Sequence, residues 1–349
     1  SDADKNIPFD KAINMLKELF EHKALTVVGQ NFKYDMNVIK KYSINFKTSI
    51  EDTMLMSYVL NSGGKHDLGT LASKFLDHEA ISYEDVVGKG KDQITFADVD
   101  IQKAVTYACE DSDLTLLVYG KLKSKLLKDK RLYDVYTNIE IKLMLIIAEM
   151  EYLGVSIDNK ELDKQSNNLK KRIEKIEKQI YSISGREFNI SSPKQIQEIF
   201  YDELKLPVLK KTPKGQPSTN EDVMTQLAED HELPSLILSF RNLLKLKNTY
   251  TDKLGVQVSS ISKRLHTSYN QTITITGRLS SSSPNLQNIP IRTSDGKKIR
   301  SAFIPRQGFK LFSADYSQIE LRIMAHLSDD SEMIKSFVDG EDIHSSTAR

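Results

Sequence analysis

Lys310-Leu311-Phe312-Ser313-Ala314-Asp315-Tyr316-Ser317-Gln318-Ile319-Glu320-Leu321-Arg322 sets an acid between two kinds of periodicity. Residues 310–314 read as a short strand. Ser317 to Leu327 reads as a helix with Ile319, Ile323 and Leu327 on one face. Asp315 is thereby expected at a strand end, where rigid backbone can present a carboxylate to a cleft. Two-metal phosphoryl transfer needs such carboxylates beside a triphosphate. Magnesium takes only one or two of them and leaves its other positions to phosphates and water. Taken singly, Asp315 reads more readily as a turn residue. Ser317-x-x-Glu320 also has the spacing of a capping box, in which the Glu satisfies the N-cap amide.

Upstream of this stretch, His266-Thr267-Ser268-Tyr269 and Thr272 to Thr276 alternate like strands, and a polar loop is expected from Ser280 to Asn288. Leu162, Leu169, Ile176 and Ile183 stand seven apart, with Ser166, Ile173 and Ile180 interleaved, which is a heptad seam on a charged helix beginning near Lys160. A second long helix, Leu233 to about Leu254, carries Leu236, Phe240, Leu243 and Leu244, and the two helices can form an antiparallel arm. The turn-rich Thr212-Pro213-Lys214-Gly215-Gln216-Pro217-Ser218 lies between them. Residues 1 to about 122 alternate strand and helix signals. Ala24 to Val28 is a buried strand closed by Gly29, Phe32, Met36 and Ile39 recur at helical spacing, and Asn61 to Gly64 is a loop. One long helix is expected from Asp98 to about Leu126, with Ile101, Val105, Leu117 and Leu122 among its apolar positions. That is an α/β pattern.

The 349 residues suit two or three domains, and 39% hydrophobic residues suffice for ordinary cores. A net charge of +1 carries no global sign of nucleic acid, so such a signal must come from local patches. Cys109 is the one cysteine, which excludes an internal disulfide and fits a reducing compartment. No apolar run of about 18 residues is present. The acidic start, Ser1-Asp2-Ala3-Asp4, is neither a signal nor a transit peptide. Both ends read as fragment ends.

Asp315 to Arg322 resembles, residue for residue, motif A of the family A DNA polymerases. Thr276-Gly277-Arg278-Leu279-Ser280-Ser281 with Pro284-Asn285-Leu286-Gln287-Asn288-Ile289-Pro290 resembles that family's primer–template loop. Arg241 to Leu254 resembles its thumb, and Asp342-Ile343-His344 the segment after motif A. Gly29-Gln30-Asn31-Phe32-Lys33-Tyr34-Asp35 and Tyr107-Ala108-Cys109-Glu110-Asp111 resemble the second and third motifs of its proofreading domain. The first such motif, an Asp-x-Glu strand, is absent from the sequence.

The resemblance implies an α/β plus α+β multidomain fold. A ribonuclease H-like 3′–5′ exonuclease domain would occupy 1–122, a connecting helix 123–157, a helical thumb 158–257 and the first part of a palm 258–349. It implies template-directed DNA synthesis with two magnesium ions, deoxynucleoside triphosphates as substrates and a primer–template duplex as partner. A single-stranded 3′ end would enter the exonuclease site. Asp315 and the Tyr316 carbonyl would hold magnesium, Glu320 would be the steric gate against a ribose 2′-hydroxyl, and Gln318 and His344 would face the incoming nucleotide. Arg278, Asn285, Gln287 and Asn288 would reach the minor groove, whose degenerate N3 and O2 acceptors let donors check pair shape without reading sequence. Lys245 and Lys247 would meet phosphates. Asp35 and Asp111 would hold the exonuclease metal, Tyr107 would position the attacking water, and Gln30 and Asn31 would hold the frayed 3′ end. Tyr107 and Asp111, four apart in a helix, share a face.

A monomer is expected, off the membrane, in the bacterial cytoplasm at the nucleoid or in a DNA-containing organelle. The 349-residue chain by itself is expected neither to extend nor to trim a primer. An exonuclease alone, or an inactive DNA-binding fragment, are the rival readings.

Overall fold

In the computed structural model, residues 7–340 are described, and the chain divides into two compact units, Ser1–Ile304 and Pro305–Arg349. The first begins with α1 (Phe9–Phe20). The β-branched run then forms β1 (Thr26–Gly29), which pairs in parallel with β2 (Ser49–Asp52), Gly29 opposite Asp52. A parallel pair needs a crossover, and α2 (Phe32–Lys40) supplies it. Side-chain caps start the next helices: Asp52 caps α3 (Thr53–Leu60), Asp67 caps α4 (Leu68–Leu76), and Ser82 with Asp85 makes a capping box on α5 (Tyr83–Val87).

The long helix α6 (Ile101–Leu126) starts later than its apolar pattern implies. Asp98 ends a 3₁₀ turn, and Asp100 accepts the N–H groups of Gln102 and Lys103. Its buried positions are Leu114, Thr115, Val118, Leu122 and Leu126, whereas Ile101, Val105 and Leu117 are exposed. The reason is local: the first half of α6 borders an open cleft, and only its second half meets the core. α7 (Lys130–Val135) runs through a π turn into α8 (Ile141–Leu153), and Tyr136 and Met144 join Leu55, Met56, Leu71 and Val118 in one core.

After β3 (Ser156–Ile157) comes α9 (Asn159–Ser184), on which Leu162, Leu169, Ile173 and Ile180 are buried as the heptad requires, while Ile183 is exposed. Following α10 (Pro193–Gln197) and α11 (Glu221–Asp230), α12 (Glu232–Leu246) packs on α9 and continues through a π turn (Lys247–Thr251) into α13 (Asp252–Val256). Ser166, early in α9, donates to Asp252, at the end of the second helix, over 2.7 Å, as an antiparallel pair does.

The strands of the next segment differ from the expected ones. β4 (Ser268–Asn270) pairs antiparallel with β5 (Ser280–Ser282), inside the expected loop, whereas 272–276 forms no strand and exposes Ile273 and Ile275. The hydroxyls decide this. Thr267 Oγ1 lies 2.8 Å from Ser281 Oγ and donates toward Pro284 O at 2.7 Å, so a polar strand is satisfied in a buried place. α14 (Ser294–Ser301) lies against α9, and β6 (Phe303–Ile304) pairs with β3.

In the second unit, residues 310–314 are irregular, with Phe312 91% exposed, and no described strand pairs with them. A strand without a partner has no ladder to hold it. α15 (Ile319–Ser328) begins after Gln318, which is left-handed and makes no side-chain cap bond. The helix thus starts one residue later than a cap at Ser317 requires. α16 (Ser331–Val338) packs on it, with the Arg322 guanidinium 4.5 Å from the Phe337 ring centre. No helix among the described residues is long and apolar enough to cross a membrane.

A buried charge pair ties the α/β layer to β4. Lys33 on α2, 8% exposed, pairs with Glu151 at the end of α8 and donates to Tyr269 O over 2.5 Å, while Glu151 accepts Tyr269 N–H at 2.6 Å. Removing one partner of such a pair strands the other charge, so Lys33→Met is expected to destabilise the protein by about 3–5 kcal/mol. Denaturant melts check this, and a loss below about 1 kcal/mol would show that water reaches Glu151 cheaply.

Candidate functional sites

The first site is an open cleft of about 1110 Å³ that β1, α2 and the first half of α6 enclose. Gln30, Asn31, Asp35, Tyr107 and Asp111, far apart in sequence, all line it. β1 ends in Gly29 because the chain must turn tightly there: a Cβ would stand 2.5 Å from the Phe32 ring. Asn31 follows in the left-handed region at φ 57° and starts α2, which carries Asp35 in its first turn.

The two acids share an electrostatic condition. Asp35 is accessible at the cleft wall, yet desolvation by the surrounding protein raises its pKa against a backbone hydrogen bond. Desolvation likewise raises Asp111, with Glu110 adding to it and a hydrogen bond from Tyr107 opposing it. The Tyr107 hydroxyl is pushed up to about 12 by burial first and by its bond to Asp111 second, so it stays a donor at neutral pH. Two desolvated carboxylates lining one cleft fit a cation, which would relieve both. Among the described residues no three His, Cys, Asp or Glu side chains are grouped as a metal cage, and the third acid lining the cleft, Asp67, is engaged as the cap of α4.

Gln30 is already engaged. Its Nε2 donates to His66 O at 2.6 Å, and Thr53 Oγ1 donates to its Oε1 at 2.5 Å. Two lining residues escaped the sequence reading. Tyr83 and Phe96 lie nearly parallel with centroids 6.2 Å apart, and Phe96 meets Tyr107 at 6.1 Å, forming an aromatic run suited to stacking bases. Aromatics inside the turn-rich 83–98 segment were the available signal.

The second site is a groove of about 890 Å³ between the α12–α13 arm and residues 284–293. Lys245, Tyr250 and Lys253 form one wall, and Asn285, Gln287, Asn288 and Arg292 the other. Tyr250 Oη donates to Asn288 O and fastens the two together. Asn285 Oδ1 accepts the N–H groups of Gln287 at 3.0 Å and Asn288 at 3.3 Å, and Gln287 Nε2 donates to Leu279 O at 2.9 Å. Both side chains therefore brace the loop as well as face the groove.

Lys247 is a correction. It does not line the groove, because its Nζ is paired with Asp252 at 2.5 Å. Arg241 is likewise turned inward, donating to Thr219 O at 3.1 Å. Arg278 is exposed in the turn at Gly277 and is not among the groove's lining residues.

In the second unit, Asp315, Tyr316 and Glu320 are exposed, and Glu320 sits in the first turn of α15. Arg322 Nε donates to Ser317 O at 3.0 Å and holds the approach to that helix. His344, with Asp342 and Ile343, lies outside the described residues.

A family profile described as DNA polymerase family A matches residues 159–349, and one described as 3′–5′ exonuclease matches residues 3–127. The chain is 48% identical over 343 residues to DNA polymerase I of Pseudomonas aeruginosa, covering 97% of this chain and 38% of that protein. It is 46% identical over 348 residues to DNA polymerase I of Rhizobium leguminosarum, covering 99% and 34%. Among solved structures, the POL domain of Pol1 from M. smegmatis, in complex with DNA primer-template and dNTP, is 32% identical with a TM-score of 0.79, covering 99% of this chain and 57% of that one. The chain spans well under half the length of these curated relatives.

Proposed function

This chain belongs to the family A DNA polymerases, and from that premise we propose that the whole protein adds deoxynucleotides to a primer 3′-OH as a template directs. The observation that carries this reading is the groove of the arm, where Lys245 and Lys253 face Asn285, Gln287, Asn288 and Arg292 across a gap fixed by Tyr250. Cations on one wall suit phosphates, and amide and guanidinium donors on the other suit minor-groove acceptors. Asp315 and the Tyr316 carbonyl would hold magnesium. Bound magnesium supplies charge stabilisation for the attacking and leaving oxygens of an in-line displacement.

Glu320 is proposed as the gate against ribose. Its rival role, a capping box with Ser317, is weakened because the N-cap position belongs to Gln318. Single-nucleotide insertion with both sugars tests gate and function together. The parent should insert deoxynucleotides, and Glu320→Ala should raise ribonucleotide incorporation by about 10-fold or more, each 1.4 kcal/mol of lost discrimination being tenfold. Unchanged discrimination would reject the gate, and no insertion by the parent would reject the polymerase reading.

A second activity, 3′–5′ digestion of a single strand, is proposed for the cleft, because Asp35, Asp111 and Tyr107 all line it together with the Tyr83–Phe96 aromatic run. Asp35 and Asp111 would hold the metal, Tyr107 would orient the attacking water, and Asn31 would meet the terminal nucleotide.

A further inference from the structure

α2 carries the cleft's Asp35, yet nothing at its own N-terminus holds it: Asn31 makes no side-chain cap bond. The holding group comes from another strand. Asp52 ends β2 and is 1% exposed, and its two carboxylate oxygens divide between two helices. Oδ2 accepts the N–H of Phe32, the first residue of α2, at 2.7 Å, and Oδ1 accepts the N–H of Leu55 in α3 at 3.0 Å. The Asp52 backbone is itself pinned, since its N–H donates to Tyr136 Oη at 2.9 Å, Tyr136 donates to Glu51 at 2.7 Å, and Glu51 pairs with Lys123 at 2.5 Å. The next residue, Thr53, holds the other side of the same turn at Gly29 O and Gln30 Oε1.

We propose that Asp52 is a positioning residue for the nuclease cleft, fixing the start of α2 so that Asp35 stands where Asp111 and Tyr107 can share its work. The inference rests on the nuclease reading of that cleft. Asp52 touches no cleft chemistry itself and acts through Phe32. A carboxylate is required because both oxygens must accept. An amide has one acceptor, and turning its NH₂ toward Phe32 would set donor against donor. Burial makes the requirement strict, since an N–H left unmet there has no water to turn to.

Asp52→Asn separates this role from folding. Asn caps a helix about as well as Asp, so α3 keeps its cap while the Phe32 bond is lost. Asp52→Ser, also a good cap but too short to span both helices, is the second variant. In the whole protein, both are expected to lower kcat for digestion of a single-stranded oligonucleotide by about 10- to 100-fold, as a misplacement near 1 Å does. KM and primer extension should stay within about threefold. Amide exchange should rise at residues 32–35 and not at 55–58. Digestion at the parental rate with unchanged exchange at 32–35 would overturn the proposal. So would a joint fall of digestion and extension, which marks a merely structural role. A parent that digests nothing with magnesium or manganese would instead sink the nuclease reading, and exchange at 32–35 in the two variants would still decide whether Asp52 holds α2.

Discussion

Asp315→Ala is expected to slow nucleotide addition by the whole protein by at least about 100-fold while leaving its affinity for primed template within a few-fold. The magnitude follows from what the carboxylate does. It stabilises charge that develops only as the new bond forms, and losing one preorganised electrostatic partner of that kind costs about 10²–10³ in rate. The selectivity follows from where the duplex contacts lie. Lys245, Lys253, Asn285, Gln287 and Asn288 line the groove of the first unit, whereas Asp315 belongs to the second. Asp315 is exposed, so its removal opens no cavity and strands no buried partner, and a fall in rate cannot be put down to unfolding. Pre-steady-state insertion beside equilibrium binding of a labelled primer–template separates the two quantities. An insertion rate within a few-fold of the parent would remove Asp315 from the site. A loss of binding equal to the loss of rate would make it a ground-state contact.

Asp35→Ala is expected to abolish single-strand digestion, again by at least about 100-fold, and to leave primer extension unchanged. Asp35 and Asp111 are the two acids of the cleft that desolvation raises, so each gains from a bound cation, while Asp67, the third acid of the lining, is engaged as the cap of α4. With one acid gone, the other cannot hold the ion alone at the same place. The sign of the pH dependence follows. Both carboxyls titrate above the usual range, so they must lose protons before they can bind a cation. Digestion should therefore fall as pH drops, at a higher pH than an ordinary carboxylate would set. Digestion of a 3′-labelled single strand with magnesium or manganese, against extension on primed template, measures both halves. Equal digestion by Asp35→Ala and the parent would discard the assignment.

The α9 seam was legible because its signal is local: residues seven apart share a face whatever lies beyond, and Leu162, Leu169, Ile173 and Ile180 are buried accordingly. Asp35, Tyr107, Asp111, Asn285, Gln287 and Asn288 were legible for another reason, the resemblance of their strings to family motifs, and the fold brings each group to one cleft or one groove. Strand pairing was not legible. Thr272 to Thr276 has the better alternation, but Ser280 to Ser282 has the partner, and a strand is decided by its partner.

Lys245 and Lys247 show the same limit at the scale of a side chain. They carry equal charge two positions apart on one arm, but two positions is more than half a turn of a helix. One faces the groove, and the other meets Asp252 and, through it, Ser166 of α9. Asp52 is the extreme case, a residue whose sequence context gives only a helix cap, while its second bond crosses 20 positions to Phe32. Residue type and spacing determined which family this chain belongs to and where its long helices run. Tertiary structure alone decided which strands pair, which lysine reaches the groove and which buried acid meets the start of α2, because each of those depends on a partner distant in sequence.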